Sequence, residues 1–502
     1  VHIVSREEMQ AIDHYAIETI GLQGAILMEN AGRAIFQKLL PLLKKEDRIG
    51  VIIGKGNNGG DGFVIARCLM EKSFQTDVWV VPAKKELTGD AQSHMGIYFR
   101  AGGTVRFIQD EHNTFLKKVN EYTVVIDALL GTGVHGEPRS PYLGVIQSVN
   151  QSQAMVAAVD LPSGVPANGG QFTHEAVQAD HTYTLQCPKL AMYTKPAAAY
   201  FGTSHIVDIG IPNIAFREQE VLRRLWTRED VLTSLPKREA FSHKGAHGKG
   251  LLIAGSTEMP GAAALAAKGA LRSGIGLLTI STPEEIWTAV STHAVEATYV
   301  SRDDIQFDHY DGIALGPGLG REKSTAHLVK KALSHDDIPL LIDADGLFHL
   351  KSYIKLLKKR QAPVVITPHP GEMARLTGLT IKEIENNRFQ TAKAFAVNHG
   401  IYVVLKGKYT VISTPDGNQF VNDTGNAALA KGGTGDVLTG MIFAFMFQHQ
   451  SLLSAICNAV HLHGMVAEHL TLHSHSKLDV LASDVTQAIP VVLHNFYRDT
   501  VC

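Results

Sequence analysis

What most limits the fold of this chain is an alternation, made twice, of short apolar runs with helical patterns. The first set of runs falls at 49–54, 77–81, 104–108, 122–127 and 154–160, with amphipathic helices predicted ahead of it at 6–20 and 24–40. The second set falls at 250–255, 276–281, 312–316, 339–343, 363–367 and 401–405. Strand-length runs separated by helices form βαβ units, and these build mostly parallel sheets. Runs at 182–185 and 205–209 are predicted to add edge strands to the first sheet. The alternation lapses between about 211 and 246, where the chain is charged and polar and carries Pro212 and Pro236. The expectation is α/β with two domains, 1–212 and 241–502, and a linker region at 213–240. The 502 residues also exceed what one core usually serves, roughly 100–200 residues.

Charge excludes some partners. The 47 basic and 49 acidic residues leave a formal net charge of −2, so no global basic field points to nucleic acid or an anionic membrane. Cys68, Cys187, Cys457 and Cys502 stand far apart, which suits a reducing, cytoplasmic setting. The 24 histidines are scattered, with no zinc-type spacing. Early charge at Arg6 and Glu7 does not fit a signal peptide, and the apolar stretch 441–447 is too short to span a bilayer.

In the first half, Gly54-Lys55-Gly56-Asn57-Asn58-Gly59-Gly60-Asp61-Gly62 sits between a strand and a helix. Its glycines let backbone N–H groups approach an anion, and the helix N-terminus adds a favourable field. Alone, the loop reads equally well as a capped tight turn. Two further strands end in Asp127-Ala128-Leu129-Leu130-Gly131-Thr132-Gly133 and in Asp160-Leu161-Pro162-Ser163-Gly164. Ligands of open parallel sheets bind outside the carboxyl ends of strands, so the three endings suggest one pocket. Asn58, Asp127 and Ser163 offer oxygens to a hard cation, and their single formal charge favours potassium over a divalent ion. Asp160 remains as an acid free for proton transfer.

Together with Met28-Glu29-Asn30-Ala31-Gly32, these motifs resemble the NAD(P)H-hydrate epimerase family over about residues 1–210. The resemblance implies a Rossmann-like parallel-sheet domain. It implies that the hydrated dinucleotide is held by Asn57, Asn58, Gly59, Gly60 and Asp61, by Gly131, Thr132, Gly133, Val134, His135, Gly136 and Glu137, and by Asp160, with Tyr142 a further contact. It implies potassium at Asn58, Asp127 and Ser163, and it makes Asp160 the candidate catalytic acid/base for interconverting the C6 epimers.

In the second half, Asn426-Ala427-Ala428-Leu429-Ala430-Lys431-Gly432-Gly433-Thr434-Gly435-Asp436 precedes a helix predicted from about 437. Small residues there form an N–H-lined hollow for phosphate, and Asp436 is placed to take a proton from an attacking hydroxyl. No Walker-type GxxxxGK[ST] is present. Gly316-Pro317-Gly318-Leu319-Gly320 reads as a ligand-facing turn, and Asp345 in Asp343-Ala344-Asp345-Gly346-Leu347 reads equally as a helix cap or a catalytic acid. Thr367-Pro368-His369-Pro370-Gly371-Glu372-Met373-Ala374-Arg375-Leu376 places His and Glu on a stiffened loop. Lys406-Gly407-Lys408-Tyr409-Thr410 offers cations for phosphate, though alone it is an ordinary hairpin.

This ordered set resembles the NAD(P)H-hydrate dehydratase family over about residues 230–500, with GxGD carrying a ribokinase-like α/β fold. Gly346 departs from the alanine common in that family. The resemblance implies ADP, or ATP in relatives, as co-substrate with Mg²⁺, and a homo-oligomer. Nucleotide then rests on 406–410 and 426–435. The hydrated cofactor faces Gly318, His369 to Arg375 and Asp436, with Ala263 a further contact. The implied chemistry is repair of NADHX and NADPHX by epimerisation and by ADP-driven dehydration. Competing readings are a ribokinase-like small-molecule kinase, and a non-catalytic binding role for the first domain. A dehydrogenase fits poorly, since 54–62 lacks GxGxxG spacing and the ribose-binding acid.

Overall fold

A computed structural model describes residues 1–133 and 136–499. Two compact units divide between Val221 and Leu222, with Val1 belonging to the second.

The first unit carries a seven-stranded, wholly parallel sheet. Its strands are β1 (Arg48–Ile53), β2 (Gln75–Val80), β3 (Arg106–Phe107), β4 (Val124–Ala128), β5 (Met155–Val159), β6 (His181–Leu185) and β7 (Thr203–Val207). Their order, β3-β2-β1-β4-β5-β6-β7, is the doubly wound Rossmann order extended by one strand. Central strands are apolar along their length because helices cover both faces. The order reverses at β1/β4, so a crevice opens there beyond the strand carboxyl ends. The run expected as an edge at 182–185 is β6, which lies inside the sheet because β7 adds outside it.

The second unit carries a ten-stranded sheet of order β11-β10-β9-β12-β13-β14-β15-β16-β17-β8. The strands are β8 (Arg223–Leu225), β9 (Lys249–Ile253), β10 (Leu277–Ser281), β11 (Thr298–Val300), β12 (Gly312–Leu315), β13 (Leu340–Ile342), β14 (Val364–Ile366), β15 (Tyr402–Leu405), β16 (Thr410–Ser413) and β17 (Gln419–Asn422). Pairing is parallel from β11 to β15, antiparallel through β16 and β17, and parallel again to β8. The helices Pro260–Arg272 and Thr434–Met446 pack closely in the core. A Cβ on Gly440 would lie 2.0 Å from the Ala266 carbonyl oxygen, so only glycine permits that approach.

The stretch 213–240 is not a connection of its own. The helix Asn213–Glu218 stays with the first unit, whereas β8 and the helix Arg228–Ser234 belong to the second. Apolar anchoring explains this: Ala215 and Phe216 sit in the first core, and Trp226 and Val231 in the second. Among the described residues, no helix is long and apolar enough to cross a membrane.

Candidate functional site

In the first unit the rim beyond β1, β4 and β5 forms a cavity of about 360 Å³. The segment Asn57–Glu71 is helical from Asn57, so Asn-Asn-Gly-Gly-Asp opens a helix rather than forming a loop. Its glycines serve packing. A Cβ on Gly59 would meet the Gly54 carbonyl at 2.1 Å, and one on Gly60 the Met28 sulfur at 2.3 Å. Neither lines the cavity, whereas Asn57, Asn58 and Asp61 do, with Gly131, Thr132, Gly133 and Asp160. Gly136 lines a smaller neighbouring cavity of about 170 Å³ with Gly131 and Thr132. Glu137 and Tyr142 line neither, and Val134 and His135 lie outside the described residues.

The three oxygen donors do converge. Asp127 accepts from the Ser163 hydroxyl at 2.6 Å and from the Ser163 N–H at 2.8 Å. Asn58 donates through Nδ2 to the Leu130 carbonyl at 3.2 Å, and the Leu130 N–H donates to Ser163 Oγ at 2.8 Å. Asn58 Oδ1 is buried with no hydrogen-bond partner. Burial pushes the Asp127 carboxyl up to about 6 against its hydrogen bonds. Among the described residues no cluster of three His, Cys, Asp or Glu could hold a metal, so a charged divalent cage is not offered.

Asp160 is not free. The fully buried Lys189 ammonium donates to its Oδ1, and the Leu185 N–H donates to the same oxygen at 3.1 Å. Lys189 also reaches the Leu185 carbonyl at 2.9 Å and Thr184 Oγ1 at 3.2 Å. Asp13, from the helix Arg6–His14, completes the cavity wall. Burial, opposed by Lys189, pushes Asp13 up to about 6. Burial with the neighbouring Asp160 and Asp13 pushes Asp61 well above the carboxylate range.

In the second unit, Asp436 lies in the first turn of the helix Thr434–Met446, earlier than the predicted start. Gly433 turns the chain into it with φ of 90°, and Thr434 Oγ1 ties the turn to the Leu429 and Lys431 carbonyls at 2.8 and 2.9 Å. Beside it, Lys406 Nζ donates to Asp343 Oδ1 at 2.8 Å, and Asp343 Oδ2 accepts from Thr439 at 2.7 Å. Glu372 stands 4.0 Å from the same ammonium. Burial and then Asp343 push Asp436 up to about 7, although Lys406 opposes this.

Other predicted residues act in part as scaffolding. His369 caps the helix Pro370–Thr377, its Nδ1 accepting from the Gly371 and Glu372 N–H groups at 3.0 and 3.4 Å. Asp345 accepts from the Gly320 N–H and Arg321 Nε, both at 3.0 Å, which pins the 316–320 turn. Arg375 and Arg321 lie over the Phe348 ring at 4.5 and 5.0 Å. Lys408 donates to the Gly425 carbonyl at 2.6 Å, and Asn426 donates to Thr471 at 2.9 Å.

The model of the family described as "YjeF-related protein N-terminus" matches residues 24–191, and that described as "NAD(P)H-hydrate dehydratase" matches 250–491. The bifunctional NAD(P)H-hydrate repair enzyme Nnr of Moorella thermoacetica is 34% identical over 519 aligned positions, covering 99% of this chain and 98% of the relative. The chain belongs to the bifunctional NAD(P)H-hydrate repair enzymes. A crystal structure of the ADP/ATP-dependent NAD(P)H-hydrate dehydratase of Bacillus subtilis, co-crystallised with ATP and Mg²⁺, is similar at 43% identity and a TM-score of 0.50. It covers 54% of this chain and 98% of its own. A ribokinase-like superfamily protein of Enterococcus faecalis V583 is similar at 27% identity and the same TM-score of 0.50, over 55% of this chain and 96% of its own.

Within this repair-enzyme architecture, three predicted contacts turn inward. The side chains of Ala263, Met373 and Ala428 are fully buried, because each fills apolar packing beneath the site. Sequence reasoning missed Asp13 and Lys189, which stand 176 residues apart and meet only when the sheet forms. It also missed Arg388, a buried guanidinium that donates at 3.1 Å to the carbonyls of Leu405, Lys406 and Tyr409 and so fixes the 406–410 turn. A lone acid in an amphipathic helix carries no local signal, and Lys189 shows its need of a partner only once folding buries it.

Proposed function

We propose that the first unit interconverts the C6 epimers of hydrated NADH and NADPH, and that the second dehydrates the S epimer at the expense of ADP. The observation that carries this reading is Asp436, half-buried at the start of a glycine-nest helix beside the Lys406–Asp343 pair, with its carboxyl held near neutrality. A base there takes the proton of the C6 hydroxyl as that oxygen attacks a phosphoryl group. Phosphate then leaves with the C6–O electron pair, the ring nitrogen supplies electrons, and C5 loses a proton. The products are AMP, phosphate and the dihydronicotinamide. Lys406 and the 426–435 backbone N–H groups oppose the developing phosphate charge. Mg²⁺ fits this site as an ion held mainly by phosphate oxygens, since it usually takes only one or two carboxylates from protein.

Potassium belongs to the same reading. The unpartnered Asn58 Oδ1, with Asp127 and Ser163 beside Leu130, suits an ion of single charge that takes neutral oxygens. Asn58, Asp127 and Ser163 would hold it, and it would offset the Asp127 charge at the strand ends that flank the cavity.

The test is recovery of the dihydronicotinamide absorbance from mixed epimers of hydrated NADH, with ADP, ATP or neither. Full recovery that needs ADP is expected. Recovery stopping at about half, against a control for spontaneous epimerisation, removes the epimerase assignment. No recovery with either nucleotide removes both and favours a small-molecule kinase.

A further inference from the structure

Asp160 was the only acid that sequence reasoning left for proton transfer in the first cavity. The geometry divides the work differently. Three carboxyls, Asp13, Asp61 and Asp160, line one cavity that holds a single buried cation, Lys189. Lys189 is spent on Asp160, which also accepts the Leu185 N–H. These two donors occupy Asp160 Oδ1. The hydrogen bonds of Lys189 go to Asp160, Thr184 and Leu185, and not to the other two carboxyls.

Exposure separates them. Both line the main cavity and a second cleft of about 130 Å³. Asp61 is buried on the helix Asn57–Glu71, whereas Asp13 is half-buried. Asp13 is therefore the more open of the two to the ligand space and to water that exchanges protons. The charged groups around it are Asp160, Asp61 and Lys189 in the cavity, Lys55 at its rim and Asp90 in the second cleft, with the Cys187 thiol behind.

We infer that Asp13 is the catalytic proton donor and acceptor of the epimerisation, and that Asp160, held in place by Lys189, faces the reacting ring. The inference rests on the epimerase reading of this cavity. Asp13 gives its proton to the C6 oxygen. The C6–O bond breaks with its electron pair going to oxygen, and water forms. The N1 lone pair closes a C6=N1 bond, leaving a cationic ring opposite Asp160. Water then adds to the other face of C6, and its proton returns to Asp13. No oxidant or other co-reactant is needed. The near-neutral carboxyl at Asp13 suits a group that must both give and regain a proton.

The experiment uses the full chain, pure R epimer of hydrated NADH and no nucleotide, and follows the S epimer chromatographically between pH 5.5 and 8 (a range bracketing the ~1-unit scatter of such groups). The spontaneous rate is subtracted. The wild-type rate is expected to fall with rising pH as Asp13 loses its proton. Asp13→Asn is expected to lose about 100-fold or more and to show no such fall. Asp13→Glu is expected to stay within about tenfold of wild type and keep the fall. Thermal melting of each variant shows that it is folded. An Asp13→Asn protein with the wild-type rate and pH profile overturns the assignment, as does an Asp160→Asn protein that alone loses the fall. A wild-type chain that does not accelerate epimerisation overturns the reading of the cavity itself.

Discussion

Two acids in separate units, Asp127 and Asp436, are pushed toward neutrality by burial, and each sits beside groups that give the shift a use. For Asp436 the sign is direct. The basic form is the working one, so the dehydration rate should decline as pH drops through about 7, roughly tenfold per unit below it. Asp436→Asn should remove that limb and cost about 10²–10⁴-fold in rate at pH 7.5, with ADP binding by calorimetry little changed. For Asp127, exchanging potassium for a bulky organic cation should slow epimerisation and leave ADP-dependent dehydration of pure S epimer alone. Equal rates of epimerisation in both salts would remove the ion from the site. The residues behind these predictions were legible from their motifs. Lys189, Asp13 and Arg388 were not recognised, because their partners lie 29 residues from Lys189 and 17–21 from Arg388, or across the cavity, and only folding brings them together.

Secondary elements were read well where burial is two-sided, including the three-residue β13 and β14, and poorly at the short outer strands β8 and β11. The central runs gave β1, β4, β5, β9 and β12 within a residue or two of their observed ends, since parallel strands are near-continuous apolar runs. β8 and β11, three residues each, have no period to detect and were not predicted, whereas the two-residue β3 lies inside the run expected at 104–108. Glycine was the more instructive error. The run at 54–62 was read as a Gly-rich loop, yet Gly59, Gly60 and Gly62 lie inside a helix, where they admit neighbours. The same logic governs the helix pair Pro260–Arg272 and Thr434–Met446. Gly440→Ala should force these helices apart and destabilise the second unit by about 1–3 kcal/mol. Trp226 and Trp287, both in that unit, report its denaturant midpoint, and an unchanged midpoint would mean that the helices yield without strain.

At the scale of the chain, the two-unit division was legible and its boundary was not, because a polar stretch need not be a connector. Residues 222–502, made alone, should fold and dehydrate the S epimer with ADP while leaving the R epimer behind. The Bacillus subtilis dehydratase, covered over 98% of its own length by about this stretch, shows that such a unit exists by itself. A fragment that folds but does not turn over the S epimer would show that dehydration needs the first unit. The boundary has a consequence for the cell. With Val221 closing one unit and Leu222 opening the next, each act of translation yields both catalysts. Their ratio is fixed at one to one, beyond the reach of separate promoters, separate turnover or separate localisation. From this chain, the two catalysts are always made in equal numbers.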